Sequence, residues 1–324
     1  MRRVLVSAGT LRNLQRYRSI LLDAGCEIVF PQAPRQLTED EILAELGGVV
    51  AVLAGSEPYT ARVLAANPAL RIIARIGVGY DSVDLAAATA HGVAVTISPG
   101  NHEAVAEHTF GLILALIKNM LPQDRLIRAG VWPRHPTHPL RGRTLGIVGL
   151  GRIGKQVALR AAAFRMPVLA AEPAPDHEFI ASHGIRLVPH ETLFAEADVV
   201  SLHLPHNPDT DKLIDRRYLS LMKPTAYLIN TARGGVVNEP DLIDALENQR
   251  IAGAGLDVFA REPLGDSPLT KLDNVVLTAH TAGVDAQASE DMACLAAQTV
   301  VRMLAGDWPG EFVINPEVRA TARR

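Results

Sequence analysis

The chain has 324 residues, of which 48% are hydrophobic and 21% are charged, a balance that excludes disordered and fibrous proteins. Its 32 Lys and Arg residues against 35 Asp and Glu residues give a net charge of −3, so no overall basic field attracts nucleic acid or an anionic membrane. The length predicts two domains. Cys26 and Cys294 are too few for a disulfide framework and lack metal-ligand spacing, so we expect reduced thiols, a cytoplasmic protein and no metal site.

The first hundred residues contain five short apolar runs, most of them separated by helix-like amphipathic stretches. The runs are apolar throughout instead of alternating, as is typical of parallel strands that are covered on both faces. Strands that alternate with helical stretches predict βαβ units and a parallel sheet. The predicted strands are 4–6, 28–30, 49–53, 72–76 and 93–97.

A long helix is predicted over about 102–120, and the proline-rich segment 130–143 predicts an extended loop. A second α/β series follows, and a last helix over about 286–305 carries its apolar residues along one stripe. The longest apolar stretch, 110–117, is far shorter than the ~20 residues that cross a bilayer, so we expect no membrane partner. The strands predicted in the second series are 144–148, 168–171, 199–204, 226–229, 254–258 and 275–278.

A glycine-rich motif, Gly149-Leu-Gly-Arg-Ile-Gly154, follows the first strand of the second series and opens a helix. This context is that of a dinucleotide-binding βαβ unit. Gly149 would allow the tight turn, Gly151 the close approach of a pyrophosphate, and Gly154 the packing of helix against strand. Glu172, at the end of the next strand, would bind the adenosine ribose hydroxyls and repel a 2′-phosphate. The motif therefore predicts NAD, and not NADP, as the cofactor.

Three later strands of this series run into residues that suit one reaction: Arg233, Glu262 and His280. Because ligands of open α/β sheets bind at the carboxyl ends of the strands, we expect these side chains to converge. Arg233 would clamp a carboxylate and polarise the adjacent carbonyl group. His280 would give or take a proton, and Glu262 would orient the imidazole and favour its protonated form. Each residue alone is more often structural, but the three together predict a catalytic set.

Several segments carry a family resemblance: 149–154, 230–235, 255–263 and the His280 segment, with 75–81 and 104–107 upstream. In this order, and over nearly the whole chain, they resemble the D-isomer-specific 2-hydroxyacid dehydrogenases. The stretch Ala54-Gly-Ser-Glu-Pro-Tyr-Thr60 resembles the phosphoglycerate-dehydrogenase-like members most closely.

The resemblance implies an α/β fold of two doubly wound domains with parallel sheets. A Rossmann NAD-binding domain, 101–284, would be inserted in a flavodoxin-like substrate domain, 1–100 plus 285–324, with the active site in the cleft between them. Family members are usually dimers, so we expect a homodimer held partly by the helix over about 102–120, with the loop around Trp132 reaching the partner subunit.

The resemblance also assigns roles residue by residue. The backbone amides of Val78 and Gly79 would hold the substrate carboxylate, and Asp257 would meet the nicotinamide carboxamide. Arg75 would contact a phosphate or carboxylate of the substrate, or else be a solvated or inter-domain arginine. The remaining contacts to NAD would come from Arg152, Ile153, Glu172, Pro205, Thr231 and Ala232.

The chain departs from the family pattern at three positions. Glu172 stands where aspartate is commoner. Ala279 replaces the proline that usually precedes the histidine, so we expect His280 to be held less rigidly. Ala54 lies where phosphate-recognising members present an arginine, which disfavours 3-phosphoglycerate as the substrate.

The sequence therefore predicts an NAD-dependent D-2-hydroxyacid dehydrogenase that transfers a hydride reversibly between NADH and a small 2-oxo acid. The substrate would be of the hydroxypyruvate, glyoxylate or 3-phosphoglycerate type. Two alternatives stay open at this point. One is a non-catalytic NAD(H)-sensing protein that acts like a corepressor, and the other is a phosphite-type dehydrogenase on the same scaffold.

Overall fold

In the computed structural model, which describes residues 2–33 and 35–320, every named strand pairs with its neighbours in parallel. The strands are β1 (Arg2–Val6), β2 (Cys26–Val29), β3 (Val49–Ala54), β4 (Ile72–Arg75), β5 (Ala94–Thr96), β6 (Leu145–Val148), β7 (Val168–Ala171), β8 (Arg186–Leu187), β9 (Val199–Leu202), β10 (Tyr227–Asn230), β11 (Gly253–Leu256) and β12 (Val275–Leu277).

Helices connect most of these strands, as the alternating pattern of the sequence predicts. They are α1 (Arg16–Asp23), α2 (Glu39–Glu45), α3 (Ala61–Ala66), α4 (Leu85–Ala90), α5 (His102–Ile117), α6 (Met120–Arg128), α7 (Arg152–Ala163), α8 (His177–Ser182), α9 (His190–Glu196), α10 (Arg216–Leu221), α11 (Glu239–Glu247) and α12 (Ala286–Leu304). Short 3₁₀ turns lie at Gly9–Leu11, Gly234–Val236, Pro268–Lys271, Gly310–Phe312 and Pro316–Ala320.

The chain divides into two units, each with its own sheet. Unit 1 runs to Asn101 and resumes at Val284, and unit 2 is His102–Gly283. The boundaries expected from the sequence, after residue 100 and before residue 285, differ from these by one residue. Unit 1 holds a sheet of five strands in the order β2-β1-β3-β4-β5, and unit 2 a sheet of seven in the order β12-β11-β10-β9-β6-β7-β8.

Both sheets are covered on both faces, which explains why their strands are apolar throughout. In unit 1, Val4 and Val6 pack with α1 and α12, whereas Leu5 faces the opposite cluster, which includes side chains of α2, α3 and α4. In unit 2, Ile147 faces α5 and α7, whereas Val148 faces α9, α10 and α11. The strand orders are those of a flavodoxin-like and a Rossmann sheet, so the predicted fold class is confirmed.

Side chains with short polar groups begin several helices. Thr38 forms a capping box with Glu41 at the start of α2, and Thr60 accepts a hydrogen bond from Val63 at the start of α3. Asp285 does the same for α12 through the backbone N–H of Ala288, at 2.6 Å. Each such cap satisfies a backbone donor that the helix itself leaves unpaired.

The predicted helix over 102–120 differs from the observed one. α5 ends at Ile117, Asn119 adopts a left-handed conformation with φ +51°, and α6 then begins at Met120. A residue with positive φ interrupts the helical hydrogen-bond ladder, so two helices replace one. The segment after α6 contains no helix or strand until β6, as the prolines predict.

In the described part of the chain, no single helix is long and apolar enough to cross a membrane, although α5 and α6 together meet that criterion with a bend of 59°. Over the same residues, no group of three or more His, Cys, Asp or Glu side chains could hold a metal ion. Cys26 and Cys294 are both buried free cysteines.

Candidate active site

The predicted site residues of unit 2 lie on loops at the carboxyl ends of its strands. The register aligns Val148 with Leu202 and Leu202 with Asn230, and it continues through Leu256 to Leu277. These five residues are at or next to the ends of β6, β9, β10, β11 and β12. The loops that follow them therefore start side by side along one edge of the sheet.

The glycine-rich turn after β6 has little room at two of its glycines and free space at the third. Gly149 has φ +91°, and a Cβ there would lie 2.6 Å from the carbonyl oxygen of His203. A Cβ on Gly154 would lie 2.2 Å from the carbonyl oxygen of Gly149. A Cβ on Gly151, directly before α7, would have no atom within 4 Å. This open position at the N-terminus of a 12-residue helix fits the phosphates of a dinucleotide.

Glu172 follows β7 and lies beside this turn. Its Oε2 accepts a hydrogen bond from the backbone N–H of Leu150 at 2.7 Å, and its Oε1 accepts one from Ala174 at 3.0 Å. A carboxylate has about four acceptor positions, so two further hydrogen bonds remain available for ribose hydroxyl groups. Lys155, a cation of α7, forms an ion pair with Asp176 at a distance of 2.6 Å.

The other residues expected to contact NAD lie on the same edge. Thr231 and Ala232 are buried directly after β10, where Thr231 Oγ1 lies 3.0 Å from Thr109 Oγ1 of α5. Pro205 is exposed after β9, and its carbonyl oxygen accepts a hydrogen bond from Thr210 Oγ1 at 2.7 Å. Arg152 and Ile153 occupy the first turn of α7. That these residues contact the cofactor stays a prediction.

The three residues of the expected catalytic set meet at this edge. His280 Nδ1 lies 2.7 Å from Glu262 Oε2, and Glu262 Oε1 accepts a hydrogen bond from the backbone N–H of Phe259 at 3.1 Å. Arg233 follows β10 and donates from Nη1 to the carbonyl oxygen of Ala232 at 2.7 Å. Only glycine fits at position 234, because a Cβ there would lie 1.9 Å from the backbone of Phe259. The loops after β10 and β11 are therefore in direct contact.

The Glu262 carboxyl has a perturbed acidity. Burial would raise its pKa, but the hydrogen bond and charge of His280, the N–H of Phe259 and the charge of Arg233 together hold the pKa below its ordinary value. The carboxyl therefore stays ionised through the neutral range. An ionised carboxylate paired with a half-exposed imidazole is an arrangement suited to general acid and base chemistry.

Asp257 is the centre of the turn that presents His280. Asp257 is buried, and its Oδ1 accepts hydrogen bonds from Thr278 Oγ1 at 2.6 Å and from the N–H of Thr281 at 2.9 Å. Its Oδ2 accepts one from the N–H of Ala282 at 2.9 Å, and its carbonyl oxygen accepts one from the N–H of His280 at 2.8 Å. His280 itself has φ +54°, an uncommon conformation for a residue with a side chain. These four bonds restrain the turn where a proline is absent.

Two members of this cluster were missed by the sequence reasoning. Thr278 and His108 of α5 approach Asp257 together, because His108 Nε2 lies 2.9 Å from Thr278 Oγ1 and 3.6 Å from Asp257 Oδ1. The signal available for His108 was a polar segment, Glu107-His108-Thr109, in the middle of a largely apolar helix. Asp257, expected to meet the nicotinamide, therefore also organises the turn that carries His280.

The expected substrate residues of unit 1 lie after β4. Val78 and Gly79 belong to a segment without helix or strand that follows Gly77, whose φ is +114°. Arg75 is only 6% exposed, and it donates from Nε to the carbonyl oxygen of Gly79 at 2.9 Å and from Nη1 to that of Ala54 at 3.2 Å. Arg75 is therefore not the solvated arginine considered above, and two of its donors hold the loop itself.

Residues 110–282 match the family model described as D-isomer specific 2-hydroxyacid dehydrogenase, NAD binding domain. This chain belongs to the D-isomer specific 2-hydroxyacid dehydrogenase family. The match includes the glycine-rich turn, Arg233, Glu262 and His280. Unit 2 thus corresponds to the NAD binding domain of the family.

Relatives within the family have different names. The chain is 44% identical over 267 residues to a D-3-phosphoglycerate dehydrogenase of Mycobacterium leprae, covering 80% of this chain and 51% of that protein. It is 42% identical over 272 residues to a glyoxylate reductase of Korarchaeum cryptofilum, covering 81% of each. The crystal structure of a D-lactate dehydrogenase from Aquifex aeolicus, complexed with NAD and lactic acid, matches with a TM-score of 0.86 and 28% identity, covering 96% of this chain and 99% of that one.

The chain spans about half the length of the mycobacterial relative. The three names also indicate three different substrates. Membership of the 2-hydroxyacid dehydrogenase family therefore leaves the substrate of this chain to be inferred from its own residues.

Proposed function

We propose that this chain is an NAD-dependent D-2-hydroxyacid dehydrogenase that transfers a hydride reversibly between NADH and a 2-oxo acid. The observation that carries this proposal is the pair formed by His280 Nδ1 and Glu262 Oε2 at 2.7 Å, on the sheet edge that also holds Arg233. An acid–base pair beside a cation that recognises carboxylates is what the reduction of a 2-oxo acid requires.

In this mechanism, Arg233 binds the substrate carboxylate and polarises its 2-oxo group. Because His280 Nδ1 is engaged by Glu262, Nε2 is the ring nitrogen that donates a proton to the carbonyl oxygen. Glu262 stabilises the imidazolium before that transfer, and the reverse reaction uses neutral His280 as the base. NADH, when bound, supplies the hydride. The chain itself contributes orientation, charge and the proton.

Unit 1 supplies backbone groups in this proposal. The N–H groups of Val78 and Gly79 hold the substrate carboxylate, and Arg75 fixes the loop through its bonds to the Gly79 and Ala54 carbonyl oxygens. We assign Arg75 this supporting role in place of a direct substrate contact. The substrate domain would then be unit 1 and the cofactor domain unit 2.

The cofactor is NAD and not NADP in this proposal. The open position at Gly151 and the N-terminus of α7 fit the pyrophosphate, and the Glu172 carboxylate fits the ribose hydroxyls. A 2′-phosphate near Glu172 would be repelled by about 4 kcal/mol for unit charges 4 Å apart at an effective dielectric of about 20.

The protein is proposed to act as a cytoplasmic homodimer without nucleic acid or membrane partners. Support for the dimer comes from large apolar side chains that unit 2 leaves exposed on and after α6, and support for the cytoplasm from the two free thiols. The exposed side chains are Met120, Leu121, Leu126, Ile127, Val131 and Trp132.

The experiment that tests this function is NADH consumption by the purified protein with a panel of 2-oxo acids, run in parallel with NADPH. The panel contains glyoxylate, hydroxypyruvate, pyruvate, a branched 2-oxo acid and 3-phosphohydroxypyruvate. We expect turnover with at least one member and a preference for NADH. If NADH binds but the whole panel is inert, the activity proposed here is wrong, and a sensor or a phosphite oxidation assay becomes the next step. A preference for NADPH would overturn the interpretation of Glu172.

A further inference from the structure

A buried polar cluster lies in unit 1 where the strand order reverses, between the carboxyl ends of β1 and β3. It consists of Ser7, Glu57 and Tyr59, which are 1%, 2% and 0% exposed. Ser7 Oγ donates to Glu57 Oε2 at 2.9 Å and lies 3.2 Å from the Tyr59 hydroxyl oxygen. In open α/β sheets, such a switch point is where ligands bind.

The Glu57 carboxylate is fixed in place by its surroundings. It folds back over Gly55, where a Cβ would lie 2.7 Å from Glu57 Oε1 and 3.3 Å from Ala8 Cα. Burial and the negative charge of Glu57 both raise the pKa of Tyr59, which therefore stays a neutral phenol. A charge held in a dry, hydrogen-bonded position acts on its neighbours with little screening by solvent.

The same cluster is joined to the loop that is proposed to hold the substrate carboxylate. Tyr59 donates its N–H to the carbonyl oxygen of Ser82 at 2.8 Å, and its own carbonyl oxygen accepts from the N–H of Asp84 at 3.0 Å. On the other side, Arg75 donates to the carbonyl oxygens of both Gly79 and Ala54, and Ala54 is three residues before Glu57. The segment that carries Glu57 is therefore hydrogen-bonded to the loop that includes Val78 and Gly79.

The arginines near this edge have contacts of their own. Arg75 directs its Nε and Nη1 donors at the carbonyl oxygens of Gly79 and Ala54. Arg12 and Arg18 lie next to Phe30 after β2, with their guanidinium carbons 5.6 and 4.8 Å from the ring centroid. Two of these three guanidinium groups therefore lie against an aromatic ring, and the third holds backbone oxygens.

We propose that Glu57 is a specificity-determining residue that selects 2-oxo acids with an uncharged side chain and rejects those with a phosphate or second carboxylate. This inference rests on the proposed function. Repulsion between the buried carboxylate and an anionic substrate tail raises the free energy of that complex and leaves a hydrogen, methyl or hydroxymethyl tail unaffected. The substrate class would be small, neutral-tailed 2-oxo acids.

The test compares hydroxypyruvate with 3-phosphohydroxypyruvate, which have the same carbon skeleton and differ by the phosphate. For the wild-type protein, we expect kcat/KM to be at least ~10-fold higher for hydroxypyruvate. In Glu57→Gln, the amide oxygen keeps the hydrogen bond from Ser7 and only the charge is lost. We expect this ratio to fall at least ~10-fold in the variant, chiefly because kcat/KM for the phosphorylated substrate rises.

Ser7→Ala is the matched control, because it removes the hydrogen bond and keeps the charge. Its ratio should equal that of the wild-type protein, and a change as large as that of Glu57→Gln would mean that packing, and not charge, sets the selectivity. Thermal unfolding and NADH binding show whether each variant is folded. If Glu57→Gln does not fold, the ratio of the two kcat/KM values in the wild-type protein still tests the proposal. A wild-type preference for the phosphorylated substrate overturns it.

An unchanged ratio in folded Glu57→Gln would likewise overturn it. Failure of the proposed function is a separate result, since the wild-type protein would then reduce neither substrate.

Discussion

The two parallel sheets of this chain have carboxyl edges of different chemical character. In unit 2 the edge presents side chains: the imidazole of His280, the carboxylate of Glu262 and the guanidinium of Arg233. In unit 1 the corresponding edge buries Arg75 and Glu57 and leaves a glycine-containing backbone segment after β4. The sheets obey the same topological rule, yet one edge offers titratable groups and the other offers peptide N–H groups.

In the proposed function, this difference assigns two tasks to one fold class. Proton transfer needs a side chain whose orientation is fixed by a partner, which is what Glu262 and Asp257 provide around His280. Holding a carboxylate needs backbone donors that approach closely, and here a buried arginine fixes their loop. Substitutions should therefore have large effects on the edge of unit 2 and small ones on the side chains of the unit 1 loop that carries Val78 and Gly79.

The largest effect is expected for His280→Ala. Loss of the proton donor should lower kcat for 2-oxo acid reduction by about 10²–10⁴-fold while the Kd for NADH changes little. Steady-state kinetics and NADH fluorescence titration measure the two quantities. His177→Ala, an exposed histidine in the first turn of α8, is the matched control. A near-normal kcat in His280→Ala would contradict the assignment of His280, at the edge of unit 2, as the proton donor.

Asp257→Asn should give the next largest effect. Its amide group cannot accept all the hydrogen bonds that the carboxylate receives, so the N–H of Thr281 or Ala282 loses its buried acceptor. We expect a loss of about 2–4 kcal/mol in the free energy of unfolding, measured by denaturant titration. The exposed Asp209→Asn serves as the control. Equal stability of both variants would show that the turn at His280 is held by other contacts.

Substitutions at two glycines of the glycine-rich turn after β6 should affect folding and cofactor binding separately. Gly151→Ala has free space for its methyl group, so the variant should fold normally and bind NADH about 10-fold more weakly, since the pyrophosphate is kept away. Gly149→Ala should lower the melting temperature, because its Cβ would lie 2.6 Å from the His203 carbonyl oxygen. Normal NADH affinity in Gly151→Ala would contradict a pyrophosphate at this position.

Glu262→Gln should change the rate of reduction and the pH dependence of stability. Without the carboxylate, His280 Nδ1 loses its ionised partner at 2.7 Å, so kcat for 2-oxo acid reduction should fall by about 10-fold. The pKa of Glu262 is lowered in the folded chain, so its ionised form stabilises the fold above about pH 4.3, and this stabilisation is lost as the pH falls through the lowered value. An unchanged kcat in Glu262→Gln would mean that Glu262 does not act on the proton donor.

The smallest effect is expected in unit 1. Val78→Ala keeps the backbone N–H and shortens a half-buried side chain, so kcat/KM should change less than about 3-fold. A much larger loss would show that the side chain, and not only the backbone, contacts the substrate, and the contrast between the two edges would then fail.

Much of this arrangement was predictable because parallel topology brings strand ends together. The glycine-rich turn, Arg233, Glu262 and His280 were all recognised as residues that follow strands, although their roles stay predictions. The role of Asp257 in holding the His280 turn was not predictable. Three of the four hydrogen bonds that Asp257 accepts in this turn come from backbone N–H groups, which leave no pattern in the sequence. The break at Asn119 was missed since it depends on one residue with positive φ in an otherwise helical segment.

Glu57 illustrates a different limit. The sequence around it supported a resemblance, but nothing in it indicated that Ser7 shares one buried position with two side chains that lie 50 and 52 residues further along the chain. Contacts of this kind depend on the order of strands in the sheet, and the order in space places β3 next to β1 while the chain makes β2 between them.

The return of the chain to unit 1 also determines the order in which the two cores can be completed during translation. Helix α12 packs against α1 and β1, so the N-terminal sheet keeps an uncovered apolar face until the ribosome has passed residue 304. At roughly 5–20 residues per second, synthesis of the intervening unit takes on the order of 10–40 s. Of the two units, the one whose synthesis begins earlier is thus completed later, and unit 2 has all the residues of its own core before unit 1 does.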